Sequence, residues 1–239
     1  MILYTGDIHG QTTRISLMIR RMKLSADDVI VILGDVGLNY YGNKRGDWDR
    51  KWRLNREGVP ILCIHGNHEQ RPSTIPSYNV REWHEGKVYV EEEFPNLLFA
   101  IDGEVYNLGG HRAIAIGGAY SVDKYYRLAR GLHWFADEQP DEATKARVEA
   151  KLDELDWKVD IVMSHTCPSR FVPTEAFIQG LDQSTVDRST EEWLDLIAEK
   201  LDYKRWFCGH WHIDKQVEKL CFMMNLFDTY EGTEVPQNG

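Results

Sequence analysis

Short apolar runs alternate with amphipathic segments along the chain. Ile2 to Thr5 reads as a buried strand, and from Gln11 to Lys23 the residues Ile15, Met18, Ile19 and Met22 fall on one face of a helix. Val29 to Leu33 predicts a second strand, Asp47 to Glu57 a polar, tryptophan-bearing helix, and Pro60 to Ile64 a third strand. The first quarter therefore reads β-α-β-α-β. Periodicity weakens through Pro72, Pro76 and Pro95, after which Leu97 to Ile101, Val105 to Leu108 and Ala113 to Ile116 read as strands, expected to form a sheet of their own. Asp141 to Leu155 predicts a helix with Val148, Leu152 and Leu155 on its apolar face, and Asp160 to Met163 another buried strand. Ser189 with Glu192 reads as a capping box opening a helix that buries Trp193, Ile197 and Leu201. Arg205 to Cys208 and a hairpin-like stretch from Val217 to Leu226 close the pattern, and a polar tail from Glu231 to Gly239 is expected to fray.

This order fits either a doubly wound parallel sheet or a layered α-β-β-α sandwich. The 239 residues suit one domain, expected over 1–230 and followed by the tail at 231–239. No apolar run approaches the roughly 20 residues that span a bilayer, and Met1 leads straight into Ile2-Leu3-Tyr4, so a cytoplasmic protein without membrane attachment is expected. Cys63, Cys167, Cys208 and Cys221 are widely spaced and read as reduced, buried thiols. A formal charge of −10 argues against a long nucleic-acid track, which would need clustered Lys and Arg.

Five polar clusters each follow an apolar strand candidate: Gly6-Asp7-Ile8-His9-Gly10, Gly34-Asp35, Gly66-Asn67-His68-Glu69, Ser164-His165 and Gly209-His210-Trp211-His212. Strand ends in open α/β sheets share one rim, so clusters far apart in sequence can meet there. Carboxylate, amide and imidazole donors without thiolate suit hard and borderline divalent metals. Asp7 and His9, and likewise His210 and His212, stand two apart, which on an extended turn would put each pair on one side. His65, His84, His111 and His133 have no such spacing and read as structural or surface residues, and the tryptophans as packing.

With D-x-H, G-D, G-N-H-[DE], H and G-H-x-H in that order between residues 7 and 212, the chain resembles the calcineurin-like metallophosphoesterases. The resemblance implies the α/β fold of two mixed sheets in a four-layer α-β-β-α sandwich. It implies a first metal on Asp7, His9 and His212, a second on Asn67, His165 and His210, and Asp35 bridging both. His68 would face the substrate as the general acid. Two ions ~3.5–4 Å apart would clamp the reacting oxygens while a metal-bound hydroxide attacks phosphorus. Manganese is the expected metal, with Fe, Zn, Ni and Co suited to the same donors.

The chain also departs from the protein Ser/Thr phosphatase branch. Val36-Gly37-Leu38-Asn39 follows Asp35 where that branch continues V-D-R-G, and His65 precedes the asparagine motif where it has arginine. The acid that orients the catalytic histidine and the phosphate-gripping arginines are therefore missing at the matching positions. This favours a small-molecule phosphoester substrate with a lean to diesters and nucleotide-like groups. A phosphomonoesterase, a nuclease of the same superfamily and a non-catalytic scaffold are the alternatives, in that order. Tyr120, Lys124 and Arg127, in a stretch rich in glycine, aromatics and charge, are the candidate substrate contacts.

Overall fold

In the computed structural model, which describes residues 1–42, 44–177, 180 and 182–232, the chain builds two mixed sheets. It opens as the pattern predicts, with β1 (Ile2–Thr5), α1 (Thr12–Met22), β2 (Val29–Ile32), α2 (Lys44–Asn55) and β3 (Ile61–Cys63). The hairpin of β4 (Tyr78–Trp83) and β5 (Gly86–Glu91) follows, and β6 (Leu97–Ala100) returns to lie parallel to β3. The second sheet takes β7 (Val105–Leu108) and β8 (His111–Ile116); then come α3 (Lys124–Arg130), α4 (Glu142–Glu154), β9 (Ile161–Ser164), α5 (Ser189–Lys200), β10 (Arg205–Cys208), β11 (Lys215–Val217) and β12 (Leu220–Phe222). Finally β13 (Phe227–Asp228) crosses back to pair antiparallel with β1. The strand orders are β13-β1-β2-β3-β6-β5-β4 and β11-β12-β10-β9-β8-β7.

Alternation along the strands stacks these sheets. In β2, Val29 and Val31, with Leu33 just beyond, join the layer between the sheets, whereas Ile30 and Ile32 join the layer that includes Ile15 and Ile19 of α1. In β10, Phe207 points between the sheets while Trp206 and Cys208 join Val148 and Leu152 of α4 and Trp193 and Ile197 of α5. Both faces of the central strands are covered, which explains why they read as continuous apolar runs. Tyr4 and Phe207 stack across the middle layer with ring centroids 4.2 Å apart and planes 3° from parallel. Each large side chain so buried contributes about 1.5–3 kcal/mol. The indole N–H of buried Trp206 donates to Ser164 Oγ at 2.7 Å, so its burial leaves no orphan donor.

Three local expectations need correction. The middle strands do not form a separate sheet: β6 completes parallel pairing with β3, while β7 and β8 extend the second sheet through β9. The β4–β5 hairpin escaped the sequence reading because β4 is exposed along most of its length and shows no alternation. Ser189 does not cap α5. It lies within the helix, its backbone N–H donates to Asp187 Oδ1 at 2.9 Å, and no side-chain cap forms at Arg188. All four cysteines are free and buried. No described helix is long and apolar enough to cross a membrane, and residues 233–239 of the expected frayed tail lie outside the described residues.

Candidate metal centre

Every predicted donor sits just past the carboxyl end of a strand: Asp7 and His9 after β1, Asp35 after β2, Asn67 after β3, His165 after β9, and His210 and His212 after β10. The turns are knitted together by the backbone, with His9 N donating to Asp35 O at 2.8 Å and Gly10 N to Val36 O at 2.9 Å. The D-x-H turn is not extended, contrary to expectation. His9 (φ 45°), His210 (φ 68°) and His212 (φ 51°) are left-handed, as is Asp35 (φ 45°). The donors converge through tight turns, at a backbone cost of order 1–3 kcal/mol where such a conformation is strained. Glycine clears space beside them: a Cβ on Gly66 would lie 2.1 Å from Asp35 Oδ1, and one on Gly209 2.1 Å from Asp7 Oδ1.

Two donor groupings result. In one, Asp7, His9 and His212 place ligand atoms within 4.8 Å of one another, and in the other Asp7, Asp35 and His165 do so. His9 Nε2 and His212 Nε2 are 3.0 Å apart, and His212 Nε2 is 3.3 Å from Asp7 Oδ2. Asn67 Oδ1 faces His165 Nε2 at 2.8 Å and His210 Nδ1 at 3.1 Å. The two oxygens of Asp35 face different groups, Oδ2 lying 3.9 Å from His9 Nδ1 and Oδ1 3.8 Å from His165 Nε2.

These donors fit metal ions on chemical grounds. His165 Nδ1 lies 2.8 Å from Leu33 O, so a neutral ring that donates there presents a bare Nε2 to Asn67 Oδ1. Acceptor then faces acceptor, and a cation between them removes the conflict. The amide of Asn67 is fixed the same way round, because its Nδ2 donates to Ser121 Oγ at 2.8 Å. Burial, then neighbouring His165, holds the His210 pKa well below the usual imidazole range and leaves a neutral ligand. Burial pushes the carboxyl of Asp7 up, but His165, the hydrogen bond to His212, the His210 N–H and His9 together outweigh it and keep the group ionised far below the ordinary range. The His212 pKa is raised, chiefly by its hydrogen bond to Asp7.

Two cavities open from this centre and share Asp35 and His68 as wall. The larger, about 270 Å³, has apolar sides that include Val122, Phe177, Val186 and Trp211, with Tyr120 at its margin. The smaller, about 140 Å³, is lined by His9, Asp35, Gly37, Tyr40, Arg50, His68 and Arg127. Of the three candidate substrate contacts, Tyr120 and Arg127 thus line cavities at the centre. Lys124 is drawn aside, its ammonium 4.2 Å from the centroid of the Trp134 ring.

Sequence reasoning missed several residues that serve the centre. Arg50 of α2, which no motif flagged, joins the candidate Arg127 of α3 in bringing a guanidinium group beside Asp35 and His68. Ser121 holds Asn67, and buried Glu138 accepts the Ser121 N–H at 3.2 Å and the Trp134 indole N–H at 2.8 Å. Arg14 of α1 buttresses the first turn by donating to Gly6 O at 3.2 Å and Asp7 O at 3.3 Å. None of these residues belongs to a motif. The mix of serine, aromatics and charge at 117–135 was the one available signal for Ser121, and Arg14, Arg50 and Glu138 lie outside it.

Comparison with known proteins agrees with this architecture. The sequence profile described as calcineurin-like phosphoesterase matches residues 1–214. No curated protein matches the sequence. Among solved structures, TT1561 of Thermus thermophilus is similar in fold, with a TM-score of 0.52 and 14% identity over 96% of this chain and 94% of that one.

Proposed function

The chain belongs to the calcineurin-like phosphoesterase family, and from that premise we propose that it hydrolyses small-molecule phosphoesters at a centre of two metal ions. The observation that carries the reading is the meeting of seven oxygen and nitrogen donors from five strand ends, with the two oxygens of Asp35 facing separate groups. Asp7, His9 and His212 would hold one ion, Asn67, His165 and His210 the other, and Asp35 both. When bound, such ions supply Lewis acidity to a phosphoryl group and ionise water near neutral pH. Manganese suits the donors, a cytoplasmic setting suits the free thiols, and residues 1–230 act as one unit.

The chain's own groups account for the rest. The apolar chamber receives the organic part of the ester, with the Tyr120 ring available to pack against it. His68 stands in the wall common to both cavities and donates a ring N–H toward the leaving oxygen. Its neighbour Asp35 positions it, since Asp35 Oδ1 accepts the His68 backbone N–H at 2.8 Å.

The test is hydrolysis of p-nitrophenyl phosphate and bis-p-nitrophenyl phosphate after chelation and Mn²⁺ reconstitution, with Asp35→Asn and His68→Ala alongside. The expected result is metal-dependent turnover that collapses in both variants, with metal content retained in His68→Ala. Absence of turnover of either ester by the metal-loaded wild type would refute the proposal.

A further inference from the structure

We propose that Arg50 and Arg127 form a clamp for the dianionic phosphate of a monoester, making this a phosphomonoesterase rather than a diesterase; the inference rests on the phosphoesterase reading above. The lean to diesters depended on arginines being missing from the family's usual positions. Here two arginines reach the centre from elsewhere in the chain, one from α2 and one from α3, and line the same recess as His9, Asp35 and His68.

Both guanidinium groups are held in place. Arg50 Nη1 donates to Gly37 O at 3.0 Å, and its Cζ and Nε lie where a Cβ on Gly10 would be 2.8 Å away. Gly10 (φ 77°) therefore both makes the tight turn after His9 and leaves the space that Arg50 fills. Arg127 Nε donates to Asp123 Oδ2 at 2.7 Å and its Nη1 to His133 O at 3.2 Å, which fixes the plane of the group. Among the described residues, Nη2 of each arginine has no hydrogen-bond partner, so each fork keeps a donor for an anion.

Size and polarity divide the substrate between the two cavities. The recess of about 140 Å³ is about half the size of the chamber, and the charged and polar groups lining it suit phosphoryl oxygens. Although Gln183, Asp187, Arg188 and Glu191 also line the chamber of about 270 Å³, its wall of Val122, Phe177, Val186 and Trp211 suits an aromatic or other apolar alcohol. A diester would have to put its second organic group between two guanidiniums and would bring one negative charge fewer. A monoester meets both walls with matching chemistry.

The discriminating pair is p-nitrophenyl phosphate and methyl p-nitrophenyl phosphate, which share a leaving group and differ by one charge. Wild type, Arg50→Ala, Arg50→Lys and Arg127→Ala are assayed as Mn²⁺-loaded proteins. Wild type favours the monoester, and the ratio of kcat/KM for monoester over diester falls by about 10- to 100-fold in each alanine variant, as expected for loss of a hydrogen bond to a charged group. Calorimetric affinity for inorganic phosphate at fixed salt falls by a similar factor, and Arg50→Lys retains part of it. Turnover of both esters with an unchanged ratio and unchanged phosphate affinity overturns the clamp while leaving the phosphoesterase reading intact. No turnover of either ester by wild type defeats that reading instead, and phosphate affinity still reports on the clamp. Should Arg127→Ala fail to fold, Arg50→Ala decides the matter alone.

Discussion

Ser121→Ala separates the two proposed metal positions. Ser121 is 1% exposed and Asn67 2%, and the single contact of 2.8 Å between Asn67 Nδ2 and Ser121 Oγ decides which way the amide faces. Removing the hydroxyl strands a buried N–H donor, which costs about 1–3 kcal/mol of stability. It also frees the amide to turn, so that Oδ1 no longer faces His165 and His210. Loss of such an outer hydrogen bond lowers metal affinity by about 10–100-fold. The effect should be confined to the position that uses Asn67, because Asp7, His9 and His212 group without it. Calorimetric titration of the metal-stripped protein with Mn²⁺, checked by elemental analysis, should give one unchanged step and one weakened step. Urea unfolding of the stripped protein measures the stability loss separately. If both steps weaken equally, or neither does while stability falls, the account of Asn67 orientation is wrong.

Three further outcomes follow from the geometry. Gly209→Ala would put a Cβ 2.1 Å from Asp7 Oδ1 and 2.7 Å from Leu33 O, so the carboxylate must move and Mn²⁺ stoichiometry should drop below that of wild type. Lys51 Nζ is buried 2.6 Å from Glu91 Oε2; Lys51→Ala should cost about 3–5 kcal/mol in urea unfolding, whereas Lys51→Met with Glu91→Leu should recover most of it. Asp141 caps α4 by accepting the Thr144 N–H at 2.8 Å, and the Thr144 side chain and then this N–H lower its pKa, so Asp141→Ala should destabilise by about 1 kcal/mol. Because the folded pKa is the lower one, this advantage is full above the ordinary value of 3.8 and is lost as pH falls through the folded value. Unfolding curves of wild type and variant should therefore converge in acid and stay apart at neutral pH.

The donors of the centre were legible because each one directly follows an apolar run, and a run followed by Gly and a polar donor states both the strand and where it stops. The layered fold was less so. Val29 to Leu33 looks the same whether helices cover both faces or a second sheet covers one, and the choice is made by pairings such as β3 with β6 and Tyr4 against Phe207 that no local pattern encodes. Arg50 was illegible for another reason. It sits in a polar helix where arginine is ordinary, and its relevance comes from Gly10, which leaves room for it, and Gly37, whose carbonyl accepts its N–H. Ser121 has the same character, since its role depends on Asn67 lying 54 residues away.

The two carboxylates are more than candidate ligands for an ion. Asp35 Oδ1 accepts the His68 N–H at 2.8 Å, and Asp7 accepts the His210 N–H with Oδ1 at 3.0 Å and Oδ2 at 3.2 Å. Each acid thus anchors the turn that carries donors from another strand: Asp35 the turn with Asn67, Asp7 the turn with His210 and His212. Charge-assisted bonds of this kind are worth about 1.5–3 kcal/mol, which is comparable to the cost of a left-handed residue in each of these loops. The strained turns at Asp35, His210 and His212 are therefore held by hydrogen bonds already present in the protein itself. These bonds meet part of the entropic cost of gathering the donors.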